Sequence, residues 1–94
     1  MAKECCVYIA TNERHTVLYT GITNNIRRRW WEHKNKIVKG FSSKYNISKI
    51  VYFEQFNSPE EAIIAEKKIK GGSRKAKEKR INEMNPQWRD LLEE

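Results

Sequence analysis

Residues 4–10, Glu-Cys-Cys-Val-Tyr-Ile-Ala, and residues 17–22, Val-Leu-Tyr-Thr-Gly-Ile, decide the fold of this 94-residue chain. Both stretches are dense in strand-forming residues, and the polar residues 11–16 separate them. Two strands joined by a short polar break predict an antiparallel hairpin. We therefore expect an antiparallel sheet that begins with this hairpin.

A helix and a third strand follow the hairpin. Thr23 or Asn24 can cap the helix, because both side chains can accept a hydrogen bond from its first turn. Residues that suit one helix face then recur at helical spacing: Ile26, Trp30, His33 and Ile37. The composition of residues 39–47 predicts a loop, and residues 49–56 are rich in strand formers.

Two further helices complete the pattern. Residues 58–61, Ser-Pro-Glu-Glu, combine an N-cap serine, a proline at the first helical position and a glutamate three residues after the cap. That helix should run to about Lys70 and end at the glycines 71–72. Ser73 can cap a last, very basic helix to about Met84, which Asn85 and Pro86 end. The sequence predicts an α+β fold in the order β-β-α-β-α-α, with a three-stranded antiparallel sheet flanked by three helices. We expect residues 1–94 to form a single domain.

The charge is concentrated in two basic segments. The net charge is +7, and residues 24–50 and 67–82 each carry eight Lys/Arg and one Glu. Two basic segments that converge on one face would suit a polyanion such as nucleic acid, with DNA our first choice. The alternative is ordinary solubilising charge on exposed helix faces.

The two cysteines do not predict a disulfide or a zinc site. Cys5 and Cys6 are neighbours in a predicted strand, so their side chains point to opposite faces. No Cys/His spacing matches a zinc site, and no apolar run has the length of a signal or membrane segment. We expect a cytoplasmic protein that does not associate with a membrane. We also expect a monomer, and a protein partner is possible.

Glu66 is unusual for its position on a helix. At 100° per residue it falls within the arc that holds Ala62, Ala65 and Ile69. A carboxylate among apolar neighbours is costly unless it binds a cation or is well hydrogen-bonded. Glu66 is therefore a candidate metal ligand, and the alternative is a structural ion pair with Lys70 four residues later.

Arg29 and His33 are one helical turn apart, so they lie on the same face of the first helix. An arginine and a histidine directed toward the sheet suit charge stabilisation and proton transfer at a phosphate. Arg27 and Arg28 point elsewhere and can contact phosphate or solvent. The alternatives are a half-buried His33 that completes the helix stripe and a solvated Arg29.

The predicted hairpin places two tyrosines on neighbouring strands. Tyr8 and Tyr19 lie mid-strand and can be within reach of each other. Tyrosines are common in strands, so neither indicates a site by itself. Gly21 is less usual there, since glycine weakens a strand and often marks a close approach of another group.

Together these positions resemble the GIY-YIG nuclease superfamily, in particular its small single-domain bacterial members. The two strand motifs correspond to residues 6–8 (Cys-Val-Tyr) and 19–21 (Tyr-Thr-Gly). The matching helix and tail segments follow them: Asn24–Arg29, Glu32-His33, Glu61–Glu66 and Asn85–Trp88. The resemblance covers residues 5 to about 91. This chain departs from the motifs by having Cys6 for glycine, Val7 for isoleucine and Thr20 for isoleucine.

The resemblance implies hydrolysis of phosphodiester bonds with one divalent metal, Mg²⁺ or Mn²⁺. It implies that Glu66 binds the metal, that Arg29 holds the attacked phosphate, and that Tyr8 is the base with Tyr19 orienting water or phosphate. His33 is the alternative base, because an ordinary histidine pKa suits neutral pH.

Other residues are predicted to hold substrate. Gly21, Arg27 and Lys44 are assigned to the nucleic acid, with Lys39 as a further backbone contact. The late asparagine of the family corresponds to Asn85, or alternatively to Asn82. Phosphate contacts carry no sequence information, so we expect low sequence specificity. Two rival functions are a non-catalytic nucleic-acid-binding module and a structural domain that depends on a partner protein.

Overall fold

Three antiparallel strands form the centre of the protein, for which a computed structural model describes residues 5–37 and 44–93. Strand β1 spans Cys5–Thr11, β2 spans Leu18–Thr23 and β3 spans Lys49–Phe56. The order in the sheet is β2-β1-β3, so β1 is the middle strand and both of its neighbours run antiparallel to it. The predicted hairpin and third strand are confirmed, with boundaries shifted by one residue in the hairpin.

The middle strand is buried along its whole length because both faces of the sheet are covered. Val7 and Ile9 lie in the hydrophobic core on one face, whereas Tyr8 and Ala10 lie in the core on the other. Cys5 and Cys6 follow the same alternation, and both are buried thiols outside any disulfide. The prediction that the two cysteines do not bridge each other is confirmed.

Within the described residues, three helices cover the sheet, and the element order is β-β-α-β-α-α, as predicted. Helix α1 spans Ile26–Lys34, α2 spans Pro59–Lys70 and α3 spans Arg74–Met84. Buried residues of α2 and α3 join the core on the Val7 face, while Ile26 of α1 joins the core on the Tyr8 face. No helix within the described ranges is long and apolar enough to cross a lipid bilayer.

The serine caps at the starts of α2 and α3 are confirmed. The side chain of Ser58 accepts a hydrogen bond from the backbone N–H of Glu61, and Ser73 does the same for Ala76. Each serine satisfies a backbone donor that has no partner within the helix. These local signals are strong enough that both helices begin where the sequence predicts.

The predicted boundaries of α1 are wrong at both ends. The N-cap is Asn25, whose side chain accepts from the backbone N–H of Arg28, while Thr23 instead accepts from the backbone N–H of Asn25. At the other end, Lys36 has a φ of 56°, which leads the chain out of the helix. Ile37 therefore does not extend the buried stripe and is 49% exposed.

The predicted loop over 39–47 lies partly outside the described residues, as does Lys39. Its last residue, Ile47, is only 1% exposed and fills the core on the Tyr8 face. The chain is thus anchored in the core again two residues before β3 begins.

Asp90 ties the C-terminal segment to both α1 and β3. Its carboxylate accepts hydrogen bonds from the indole N–H of Trp30 at 2.9 and 3.0 Å and from the backbone N–H of Ile50 at 3.3 Å. Lys34 adds an ion pair at 2.8 Å. Asp90 is a buried carboxylate with three partners, so it holds α1 in place over the sheet.

Candidate active site

Four side chains meet on the face of the sheet that α1 covers. Tyr8 and Tyr19 project from paired strands, with their ring centroids 6.2 Å apart. The imidazole of His33 lies edge-on to both phenol rings, with centroid distances of 5.6 Å to each. Arg29 lies one helical turn before His33 and reaches the same place. The structure thus brings together the four residues predicted to be catalytic, and we call them the Tyr8 cluster.

Hydrogen bonds connect three members of the Tyr8 cluster in series. Arg29 Nη1 donates to the hydroxyl oxygen of Tyr8 at 3.3 Å. That hydroxyl lies 3.0 Å from Nε2 of His33. Because the Tyr8 oxygen already accepts from Arg29, its proton is placed to be donated to a neutral His33 Nε2. Donation in this direction requires the tautomer of His33 that carries its proton on Nδ1.

Glu32 holds the guanidinium of Arg29 in position. Arg29 Nε donates to Glu32 Oε1 at 3.1 Å, and the side chains are 26% and 27% exposed. Arg29 is therefore fixed at one side by a carboxylate while Nη1 remains directed at Tyr8. Burial opposes the charge of the guanidinium, but the contacts with Tyr8 and Glu32 outweigh it and raise the pKa of Arg29. This side chain stays positively charged.

Burial controls protonation within the Tyr8 cluster. It raises the pKa of Tyr8 to about 12, although the hydrogen bond and the positive charge of Arg29 act in the opposite direction. Burial and the charge of Arg29 lower the pKa of His33 to about 4. Tyr8 is thus a neutral phenol and His33 a neutral imidazole at pH 7. The expectation of an ordinary histidine pKa is wrong, because the side chain is buried next to a cation.

Gly21 makes room for the Tyr8 side chain. It pairs directly with Tyr8 across β1 and β2. A Cβ atom at position 21 would lie 2.5 Å from the Tyr8 hydroxyl oxygen and 2.6 Å from its Cζ. Any side chain here would have to displace the phenol ring. Glycine is therefore required at this position by the close approach of Tyr8.

Glu66 lies on α2, away from α1 in the chain, with only 17% of its side chain exposed. Buried Ala62 and Ile69 occupy the same side of that helix. Its ion-pair partner is Lys70, whose Nζ is 3.9 Å away and whose side chain is 69% exposed. Such a long contact with a solvent-exposed ammonium group compensates a largely buried carboxylate poorly.

The surroundings of Glu66 suit an open site, in which one carboxylate binds a hard divalent cation, rather than a site closed by several protein ligands. Among the described residues no group of three or more His, Cys, Asp and Glu side chains could hold a metal. Mg²⁺ typically keeps several waters and uses one or two carboxylates together with substrate phosphates. A single, poorly compensated carboxylate is compatible with that mode of binding.

The remaining predicted substrate residues are dispersed. Arg27 is exposed on α1, on the side away from Arg29. Lys44 is exposed, with its Nζ 5.5 Å from the ring centroid of Tyr45. The structure does not place either of them in hydrogen-bond contact with the Tyr8 cluster.

Asn85 has a structural role. Its amide nitrogen donates to the carbonyl oxygens of Val51 and Arg89 at 3.1 and 2.8 Å, and its oxygen accepts from the backbone N–H of Arg89 at 3.1 Å. The residue is only 6% exposed. These bonds join the C-terminal segment to β3, so its assignment to substrate stays a prediction without a contact that supports it. The competitor Asn82 accepts from the indole of Trp88.

Sequence reasoning gave no role to Glu32, although it lies in a segment that carries the resemblance, and it missed Asp90. Glu32 is three residues after Arg29 on α1, and that spacing could have revealed the ion pair. Asp90 is 60 residues from Trp30, and no local pattern links them. Both act by holding α1 and its functional side chains in place.

Comparisons with known proteins agree with this architecture. A protein-family model, that of the GIY-YIG catalytic domain, matches residues 4–82. The solution NMR structure of a UPF0213 protein from Bacillus halodurans is similar, with 25% sequence identity and a TM-score of 0.60, over 95% of this chain and 94% of that one. A comparison with curated proteins finds no match. The residues matched by the domain model include the whole Tyr8 cluster and Glu66, and the chain belongs to the GIY-YIG catalytic domain family, a family of nucleases.

Proposed function

We propose that the protein is a metal-dependent endonuclease that hydrolyses DNA phosphodiester bonds with low intrinsic sequence specificity. The observation that carries this proposal is the series of hydrogen bonds from Arg29 to Tyr8 to His33. A purely structural histidine and arginine would not need a shared phenol between them. The series instead offers a cation, a proton acceptor and a proton donor at one point.

In this proposal Arg29 binds the phosphate that is attacked. Its guanidinium is fixed by Glu32, so little side-chain freedom is lost when it binds an oxyanion. The negative charge on the phosphate grows as water attacks phosphorus. A positioned arginine stabilises that growing charge more than the ground state, which accelerates the reaction.

Tyr8 and His33 act together on the proton of the attacking water. The water proton moves to the Tyr8 oxygen as the phenol proton moves to Nε2 of His33, so the phenol stays neutral throughout. This transfer avoids a free tyrosinate, which the raised pKa of Tyr8 disfavours. It uses both candidate bases: Tyr8 contacts the water, and His33 receives the proton transiently, because its lowered pKa favours passing the proton on.

Glu66 would hold Mg²⁺ or Mn²⁺, together with oxygens of the bound phosphate and water. When bound, such an ion supplies positive charge that stabilises the leaving oxygen. The carboxylate is the part of this chain that selects a hard cation. Its low exposure limits competition by bulk solvent.

The charge on α1 supports a polyanionic substrate. Its first turn contains three consecutive arginines and no acidic residue, although the positive end of the helix dipole disfavours cations there. The only acid in the helix, Glu32, already pairs with Arg29. An arrangement that is unfavourable for the isolated helix becomes favourable when DNA phosphates lie against it.

A nicking assay tests the proposal. Purified protein is incubated with single-stranded, duplex and branched DNA in Mg²⁺, in Mn²⁺ and in EDTA, with Tyr8→Phe as the matched control. We expect cleavage with either metal, none in EDTA, and a large loss in the control. DNA binding without cleavage of any substrate would instead identify a non-catalytic binding module.

A further inference from the structure

A groove of about 310 Å³ runs beside β2, an outer strand of the sheet. Its lining combines three consecutive residues of β2 with two lysines of the second basic segment: Leu18, Tyr19, Thr20, Lys70 and Lys77. Lys70 is the last residue of α2 and Lys77 lies in the first half of α3. The turn between these helices therefore brings two ammonium groups to the edge of the sheet.

Lys77 is the second cation that lines the groove. It is only partly exposed, and its Nζ donates a long hydrogen bond of 3.4 Å to the carbonyl oxygen of Lys70. In the part of the chain that the structure describes, no carboxylate lies within the 4.0 Å ion-pair distance of Lys77. A lysine ammonium group without a nearby carboxylate is a favourable position for an anion.

Tyr19 connects this groove to the Tyr8 cluster. It lines the groove, and its ring centroid is also 5.6 Å from that of His33. An anionic strand that passes over the Tyr8 cluster is thus led around the edge of β2 toward Lys70 and Lys77. The apolar side chain of Leu18 offers a surface for a sugar ring between the charged positions.

We propose that this groove is a binding subsite for a backbone phosphate of the substrate, one that neighbours the phosphate to be cut. Lys70 and Lys77 bind its oxyanion, and Tyr19 lies between this subsite and the reacting phosphate. The ligand class rests on the proposed function, since the substrate of a nuclease is a continuous phosphodiester strand. The subsite joins the second basic segment to the catalytic face of the sheet.

Lys70 has a second contact that fits this assignment. It is the 3.9 Å ion-pair partner of Glu66. When Lys70 turns to a phosphate in the groove, the Glu66 carboxylate loses this contact and becomes available to a metal ion. Binding of DNA and binding of metal should therefore favour each other.

A neutral-phosphate scan tests the subsite through binding alone. Single phosphates of a short DNA oligonucleotide are replaced one at a time by methylphosphonates, and affinity is measured in EDTA. At one position the wild-type protein should lose about 3- to 10-fold in affinity, and both Lys77→Gln and Lys70→Gln should be insensitive to that replacement. In each variant the slope of log affinity against log salt should also fall by about 1.

Two control variants make the result specific. Lys75→Gln removes an exposed charge of α3 that does not line the groove, so it should keep the wild-type sensitivity at every position. Lys77→Arg preserves the positive charge, so this variant should also keep the wild-type sensitivity to phosphate replacement. If Lys77→Gln or Lys70→Gln retains the full wild-type pattern, the two-lysine subsite is wrong. A protein that shows the expected scan but never cleaves would refute the proposed nuclease function and leave the subsite standing.

Discussion

The hydroxyl oxygen of Tyr8 lies 3.0 Å from Nε2 of His33, although 25 positions separate the two residues in the chain. The hairpin supplies the phenol and α1 supplies the imidazole, so the contact forms only when the helix packs on the sheet. The same hydroxyl accepts from Arg29. Tyr8 is therefore the point at which the hairpin and α1, the two elements of the candidate site, join.

Arg29→Ala should separate catalysis from binding. The loss of one donor to the transition state typically lowers a rate by about 10²–10³, whereas many other cations remain to bind DNA. Single-turnover rates at saturating protein measure the chemical step without a contribution from affinity. Arg27→Ala is the matched control, since it should reduce affinity with little effect on the rate. Equal losses of rate in the two variants would mean that the arginines only grip phosphate.

Glu66→Gln should keep the fold and abolish metal-dependent cleavage, because an amide is a far weaker ligand for a hard cation. Cleavage is measured over a Mg²⁺ titration, and NMR reports whether Mg²⁺ shifts resonances near residue 66. Glu60→Gln, which alters an exposed glutamate on the same helix, should behave as the wild type. A Glu66→Gln protein with full activity would leave this carboxylate a structural role only.

Gly21→Ala should destabilise the protein by about 1–3 kcal/mol, the usual cost of adding atoms to a packed site. The new methyl group would overlap the Tyr8 ring and displace its hydroxyl from His33. Urea unfolding of Gly21→Ala in the wild-type and Tyr8→Ala backgrounds isolates this effect. The destabilisation should largely disappear once the phenol is absent. An equal cost in both backgrounds would show that the glycine is needed for another reason.

His33 should make stability depend on pH between about 6.5 and 4. Its pKa is lowered to about 4 in the folded protein, so the unfolded chain binds the extra proton in this window. The stabilisation is fully present above pH 6.5 and is lost as the pH falls through 4, by about 3 kcal/mol in total. The free energy of unfolding, measured with denaturant over this pH range, should depend less steeply on pH in His33→Phe than in the wild type. His15→Asn should retain most of the wild-type dependence. Identical slopes for His33→Phe and the wild type would contradict a neutral, buried His33.

DNA affinity should fall steeply with salt, because binding of several cations to phosphates releases condensed counter-ions. The net charge of +7 and the two basic segments motivate this expectation. Fluorescence anisotropy with oligonucleotides of unrelated sequence should give similar affinities at each salt concentration. A flat titration between low and physiological ionic strength would show that phosphate contacts do not dominate.

Much of the fold follows from local patterns in the sequence. The strand-forming runs around Tyr8 and Tyr19 and the serine caps of α2 and α3 act over a few residues, so the sequence predicts their elements correctly. Helical spacing also places Arg29 and His33 on one face. The end of α1 was harder to predict, because Ile37 fits the periodicity but the backbone at Lys36 leaves the helix.

The sequence by itself determined the type and order of the secondary-structure elements, the family resemblance and the helix faces that carry the candidate site residues. Tertiary structure alone decided how the parts meet: the phenol of Tyr8 between Arg29 and His33, the lowered pKa of His33, and the anchoring of Trp30 by Asp90. The physical reason is that periodicity fixes direction within one element, whereas distances and burial depend on how separate elements pack. A histidine has an ordinary pKa until the packed structure removes its water and places a cation beside it.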